Sequence, residues 1–317
     1  MNNSIKFYGS IPKSLKKRLE ESLGHAEIDS GKEIAIYFDS VEVERSKRNY
    51  NILLLSEPPA VSPQNYRKSQ VNKFDLVIIF SPWLAKSTGM PNFTQLPVET
   101  PIKTSKQSTQ RNNGIVLIND HKFSAVNSSL YGYRRKILLE LQKRRITIAL
   151  FGPNWKMSRS MEFRKRVAAL RLGLKNLRLL KASEAFSELF RDYHCYQGHA
   201  VDKMQTLSNY KYALIIENDE NWLSEKLFDA LYAGCLVFYL GPSLAEFDLL
   251  SKCIIKLPSD PVLAASVIQE NFDNTPWQIL DESRTFTNDS SSMDFVRQET
   301  IFNSILQKIQ SQLRLYE

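Results

Sequence analysis

The chain lacks the features that would place it in a membrane, in an oxidising compartment or around a structural metal. Its three cysteines, Cys195, Cys235 and Cys253, are an odd number without C-x-x-C spacing, which argues against both a disulfide framework and a zinc site. The apolar stretches each span only one strand, well short of the ~20 residues a bilayer requires, and the opening MNNSIKFYGSIPKSLKKRLEESLG holds no apolar run of signal-peptide length. A soluble protein of the reducing cytosol is the expectation. No D-x-D sequence occurs, and the four histidines, His25, His121, His194 and His199, share no ligand spacing, so neither an essential metal nor a cofactor is expected. There is no low-complexity tract and no internal repeat, and 43% hydrophobic with 24% charged residues is an ordinary globular composition.

What is present is patterned. At 317 residues the chain exceeds one hydrophobic core and reads as two domains. Short runs rich in Ile, Val, Leu, Phe and Tyr recur, separated by segments of helical period, which is the mark of parallel-sheet α/β architecture. In the first half they are IKFYG from Ile5, EIAIYF from Glu33, YNILLLSE from Tyr50, DLVIIFS from Asp75 and GIVLIND from Gly114. In the second half they are ITIALFGP from Ile146, YALIIEN from Tyr212, LVFYLG from Leu236 and CIIKL from Cys253. A boundary near Arg144 divides the chain into lobes of residues 1–144 and 145–317. Residues 88–113 are Pro, Thr, Ser and Gln rich and read as a long loop. The last segment puts Ile301, Ile305, Leu306, Ile309 and Leu313 on one helical face, a stripe better suited to core packing than to lying on a membrane.

Charge is concentrated. The net charge is +8, yet residues 134–191 hold 16 Lys and Arg against four acidic residues, a local surplus of twelve. The stretch is either a set of solvated helix faces or an attraction for an anion: a nucleotide diphosphate, an acidic membrane surface or nucleic acid. No nucleic-acid motif or basic–aromatic interleaving accompanies it, so no nucleic-acid partner is expected. A peripheral membrane contact through this region or the final helix remains among the expectations, and oligomeric state is not legible.

The most informative stretch is DKMQTLSNYKYALIIENDENWLSEKLFDALYAGCLVFYLGPSLAEF, from Asp202 to Phe247. It reads as a helix, a buried strand ending at Glu217 and Asn218, a short polar loop, a helix starting near Ser224, and a strand ending at Gly241 and Pro242. In open parallel sheets, ligands bind beyond the carboxyl ends of strands. Ser224 suits a helix cap, and a diphosphate would suit the unpaired amides of the turn that follows. Lys226 is out of place there, because a cation at a helix N-terminus is unfavourable unless an anion shares the site.

This segment closely resembles the signature of the family 10 α-1,3/α-1,4-fucosyltransferases, through Lys203, Leu207, Tyr210-Lys211-Tyr212, Glu217-Asn218, Ser224-Glu225-Lys226, Ala230, Ala233-Gly234 and Gly241-Pro242. The resemblance implies a GT-B fold: two Rossmann-like lobes with a cleft between them, the C-terminal one holding GDP-fucose and the N-terminal one a glycan acceptor. It further implies that Glu225 holds ribose or sugar hydroxyls and that Lys226 meets the diphosphate, with Asn218, Trp222 and Ser224 beside them. Trp222 stands where the family usually has Tyr, and the loop from Asn218 to Trp222 is shorter than the family's. A different nucleotide sugar is therefore the alternative donor.

Two further matches carry roles by resemblance. INDHKFSAVNSSLYGYRRKILLEL from Ile118 is similar to a family segment whose Arg reaches the diphosphate; Arg134 occupies that position, with Arg135 its neighbour. An Arg fork binds phosphate oxygens bidentately. Ser56-Glu57-Pro58-Pro59, after the buried run NILLL, is similar to the element whose Glu is the catalytic base, which implicates Glu57. Inverting transfer needs such a carboxylate to take the acceptor proton while the nucleotide leaves from the opposite face of the sugar. Arg134, Lys226 and the Ser224 helix start would then balance the charge that grows on the departing diphosphate.

Overall fold

The computed structural model describes residues 5–23, 33–39, 49–81, 83–84, 111–124, 126–155, 193–244, 253–272 and 305–311. The expected loop up to residue 110, most of the basic stretch and the helix expected from Ser183 lie outside the described residues. Among the described residues, no helix is long and apolar enough to cross a membrane.

The chain forms two compact units, one of Met1–Thr100 with Asn221–Leu223 and Ser291–Glu317, the other of Pro101–Glu220 with Ser224–Ser290. The first holds β1 (Ile5–Gly9), α1 (Lys13–Leu23), β2 (Glu33–Phe38), β3 (Asn49–Leu55), a 3-10 turn at Pro63–Tyr66, α2 (Lys68–Val71) and β4 (Leu76–Ile79). Its strands pair in parallel in the order β1-β2-β3-β4. Every residue of β3 is buried, which accounts for the apolar run Ile52–Leu55: both faces of a parallel sheet are covered, and the buried Asn51 is paired with Asp75.

Alternation along the strands sorts two cores. Ile34, Ile36, Ile52 and Leu54 pack on one side with Leu19 and Leu23 of α1 and with Ile305 and Ile309. Ala35, Tyr37, Leu53 and Leu55 pack on the other with Val71, Leu84 and Trp222. Ile305 and Ile309, both fully buried, belong to the helix at residues 305–311 and pack in this core, with Leu306 partly buried against it; Ile301 and Leu313 of the expected stripe lie outside the described residues. Gly9 closes β1 with φ +88° where a Cβ would lie 2.1 Å from the Phe38 carbonyl oxygen, so no side chain fits.

The second unit holds β5 (Asn112–Ile118), α3 (Tyr131–Lys143), β6 (Ile148–Phe151), β7 (Tyr196–Gly198), α4 (Lys203–Ser208), β8 (Tyr210–Ile216), α5 (Glu225–Tyr232), β9 (Leu236–Leu240), β10 (Ile254–Lys256) and α6 (Pro261–Phe272). The sheet order is β10-β9-β8-β5-β6-β7, all parallel. Its core joins Ile115, Leu117, Leu214, Ile216 and Phe238 of the sheet to Ile137, Leu138 and Leu141 of α3 and Ala264 and Ile268 of α6. Each fully buried large apolar side chain contributes about 1.5–3 kcal/mol, so the strands that carry the site are among the most firmly held.

Two expectations about the division are corrected here. The strand from Gly114 pairs with β6 and β8 in the second sheet, so the units divide near residue 100 and not near Arg144. The final helix belongs to the first unit rather than to the C-terminal lobe. A buried parallel strand has the same apolar run whichever sheet it joins, and a helical stripe does not name the core it will meet.

Candidate functional site

The site grows from the carboxyl ends of β8 and β9. α5 starts directly after the loop that leaves β8, and Ser224 is its cap: extended at φ −112°, ψ 172°, with Oγ accepting from the Lys226 amide at 3.4 Å. α5 ends on Gly234 at φ +74°, with the Gly234 amide donating to Leu231 and the Cys235 amide to Ala230, a Schellman closure. Arg111 donates to the carbonyls of Ala233 at 2.7 Å and Gly234 at 2.5 Å, placing a cation at the negative end of the helix dipole.

Glu217 is fully buried behind the cap. Its carboxylate accepts from the Ser224 amide at 3.0 Å and the Ser224 hydroxyl at 2.5 Å, and Lys226 Nζ donates to that hydroxyl at 3.2 Å. Burial pushes the Glu217 carboxyl above its ordinary range, while the Lys226 charge and the Ser224 hydrogen bonds pull it down. Gly241, on the end of β9, lies so close that a Cβ there would stand 2.7 Å from Glu217 Cγ and 2.3 Å from the Tyr239 hydroxyl. The glycine that follows this strand thus makes room for the buried carboxylate.

Glu225 sits on the same face of α5 as Asp229, one turn on. Lys203, the first residue of α4, reaches both, at 3.2 Å to Glu225 and 2.5 Å to Asp229. Burial works against the Lys203 charge, but the two carboxylates outweigh it and raise its pKa. Burial also disfavours the Glu225 charge, yet Lys226 and Lys203 outweigh it and hold the Glu225 carboxyl below its usual range. Ser224, Glu225 and Lys226 therefore form one charged, hydrogen-bonded cluster in the first turn of a helix.

Arg134 turns inward to backbone carbonyls at the end of β8. It is 2% exposed, and its fork donates to the carbonyls of Ile216 at 2.8 Å, Glu217 at 3.3 Å and Asp120 at 3.3 Å, and to Asn218 Oδ1 at 3.3 Å. Burial lowers its pKa to about 10, against the favourable pull of Tyr131 and Glu217. Its neighbour Arg135 donates to the Lys122 carbonyl at 2.8 Å and stacks over Phe123. Asn218, besides receiving Arg134, accepts from the Leu130 amide at 3.1 Å. Asp219 is buried and accepts from the Ser128 hydroxyl at 2.7 Å.

Trp222 is 6% exposed and packs in the first unit's core with Ala35, Tyr37, Leu53 and Val77, while the carbonyl of Asn221 accepts from the Ser81 hydroxyl. Glu57 also lies in the first unit, exposed at the carboxyl end of β3. Its carbonyl accepts from the Tyr66 hydroxyl at 2.6 Å, and its amide donates to Asp39 at 3.3 Å.

Ser224, Glu225, Lys226, Asn218 and Arg134 are thus brought together around the end of β8; Trp222 and Glu57 are placed in the first unit. Sequence reasoning missed the work of Glu217, Asp229 and Asp39. Asp229 had a readable signal, an acid one helical turn after Glu225. Asp39 offered only its place directly after the apolar run of β2.

No family model and no curated protein matches the chain at a significant level. Among solved structures, Anabaena HepE in complex with UDP and glucose is similar at 11% identity over 94% of this chain and 81% of that one, with a TM-score of 0.52. An S. aureus TarM mutant in complex with Fondaparinux, alpha-GlcNAc-glycerol and UDP is similar at 12% identity over 94% of this chain, which spans only 58% of that protein's length, with a TM-score of 0.46. An alpha1,3-fucosyltransferase with GDP is similar at 10% identity over 98% and 89%, with a TM-score of 0.44. Two parallel-sheet α/β units with helices, together with the HepE likeness, make this a GT-B fold.

Proposed function

We propose that the chain is an inverting glycosyltransferase that moves fucose from GDP-fucose to a glycan hydroxyl. The observation that carries this reading is Lys226: a lysine in the first turn of α5, held on the hydroxyl of its own cap at the carboxyl end of β8. A cation there opposes the helix dipole; the neighbouring Glu217 and Glu225 carboxylates offset that within the chain, and an anionic ligand at the same place would be drawn both to the Lys226 charge and to the positive end of the helix. The diphosphate of the donor is that anion. Glu225, fixed by Lys203, accepts hydroxyls of the ribose or the sugar.

In this reading Glu57 takes the acceptor proton as its oxygen attacks the anomeric carbon, and GDP leaves from the opposite face with its growing charge met by Lys226 and the α5 amides. No metal is called on for that role. Transfer from GDP-fucose, followed as GDP release with N-acetyllactosamine as acceptor, should fall roughly 10²- to 10⁴-fold in Glu57→Gln while GDP binding stays within a few-fold. Wild-type transfer in Glu57→Gln would remove Glu57 from the mechanism.

One observation favours a second donor. Trp222, which stands where the resemblance implies a Tyr, is buried in the first unit's core. On that reading the same cluster binds another nucleotide sugar, and the donor panel described below separates the two.

A further inference from the structure

The turn after β3 is held at both of the polar backbone groups of Glu57, by side chains from two different elements. Asp39, the residue that follows β2, accepts from the Ser56 amide at 2.9 Å, from the Ser56 hydroxyl and from the Glu57 amide at 3.3 Å. On the other side, the hydroxyl of Tyr66 donates to the Glu57 carbonyl at 2.6 Å. Pro58 and Pro59 follow at once and fix φ on the way out of the turn. Backbone freedom at Glu57 is thereby removed while the residue itself stays exposed.

Asp39 is itself held in place. Its backbone is left-handed, at φ +47°, a conformation that Asp and Asn tolerate better than other side chains. Its amide donates to the Leu54 carbonyl at 2.9 Å, and its carbonyl accepts from the side-chain amide of the buried Asn65 at 2.9 Å. Asn65 and Tyr66 are neighbours on the 3-10 turn at Pro63–Tyr66, so a closed ring runs from that turn through Asp39 to Ser56 and Glu57 and back. Burial raises the Asp39 carboxyl, and the three donors of Ser56 and Glu57 oppose that rise. A half-buried carboxylate that spends its acceptors on the two residues before a Pro-Pro pair has one evident use, the aim of what stands at position 57.

We infer that Asp39 is the positioning residue for Glu57, holding its backbone so that the carboxylate is presented in one orientation to the acceptor hydroxyl. The inference rests on the reading of Glu57 as the base. Misplacement of a reacting group by about 1 Å costs on the order of 10²-fold, so loss of this hold should cost rate and not donor affinity.

The test uses the full chain as wild type, Asp39→Gly, Glu57→Gln and the double variant, assayed for GDP release from GDP-fucose with N-acetyllactosamine. Gly adopts the left-handed backbone freely but removes the carboxylate that accepts from Ser56 and Glu57, whereas Asn would keep the Oδ1 to which both amides donate. Asp39→Gly should lower kcat by about tenfold to a hundredfold with KM for GDP-fucose within twofold, and the double variant should be no slower than Glu57→Gln. A full rate in Asp39→Gly alongside a crippled Glu57→Gln overturns the positioning role, and so do losses that multiply in the double variant.

If Glu57→Gln turns over normally the base reading has failed, and in that case, or if neither wild type nor variant releases GDP with this acceptor, amide exchange decides whether Asp39 holds the turn. In Asp39→Gly the Ser56 and Glu57 amides should exchange about tenfold faster or more, with the amides of β3 unchanged. Equal exchange at both sites overturns the inference by itself.

Discussion

Glu217 and Ser224 are joined twice, the carboxylate accepting from the amide at 3.0 Å and from the hydroxyl at 2.5 Å, so that the end of β8 is fastened to the start of α5. The same hydroxyl receives Lys226, which makes Ser224 the link between a buried negative charge and the cation proposed to meet a diphosphate.

Stability should therefore depend on pH through this pair. Burial raises the Glu217 carboxyl above its unfolded value, so the folded state holds the proton more tightly, and the stability this adds is present at low pH and lost as pH rises through the folded pKa. Lys226 restrains that rise. Lys226→Met removes the restraint, moves the loss to higher pH, and should destabilise the chain more at about pH 8 than at about pH 5. Thermal melts at the two pH values check this; equal destabilisation at both means that the Lys226 charge does not compensate Glu217.

Arg134 should prove a strut. With four acceptors on its fork and 2% exposure, Arg134→Ala leaves buried carbonyls unpaired and should cost about 3 kcal/mol or more. Arg134→Lys keeps the charge and loses the fork, and should lower the melting temperature by several degrees even without ligand. Should Arg134→Lys melt as wild type and lose only GDP affinity, the guanidinium acts on phosphate as the family resemblance implies.

Trp222 should affect the first unit's stability before it affects donor binding. Truncation to Ala removes a side chain buried among Tyr37, Leu53 and Val77, worth about 3–5 kcal/mol, whereas Trp222→Phe should keep most of the packing. GDP affinity in Trp222→Phe, measured by calorimetry, should match the wild type. A tenfold weaker GDP complex in a variant of unchanged stability would return Trp222 to the donor site.

Much of this was legible in particular residues. The runs at Ile34, Ile52, Leu76, Leu214 and Leu236 are parallel strands buried on both faces, and such strands announce themselves by composition. Ser224 was readable as a cap because its chemistry is local. The membership of β5 was not, since its pairing with Ile148 of β6 and Tyr212 of β8 is set by residues outside the run itself. The same holds for Arg134: an Arg-Arg-Lys run on a helix does not say whether its forks turn to phosphate or to the carbonyls of a neighbouring strand. Asp39 was hidden for another reason, because its partners Ser56 and Glu57 meet it only once β2 and β3 have paired.

The central claim is that Ser224, Glu225 and Lys226 hold the diphosphate of a nucleotide sugar, and titration calorimetry with a panel of donors tests it most directly. GDP-fucose, GDP-mannose, UDP-glucose and UDP-N-acetylglucosamine would each be titrated into the wild type and Lys226→Ala. GDP-fucose should bind the wild type most tightly, and Lys226→Ala should weaken it at least tenfold, the loss of one charge-assisted contact of about 1.5–3 kcal/mol. Tighter binding of a UDP-sugar that also needs Lys226 would keep the site and change the donor. Binding of no nucleotide sugar by the wild type, or binding indifferent to Lys226, would contradict the account.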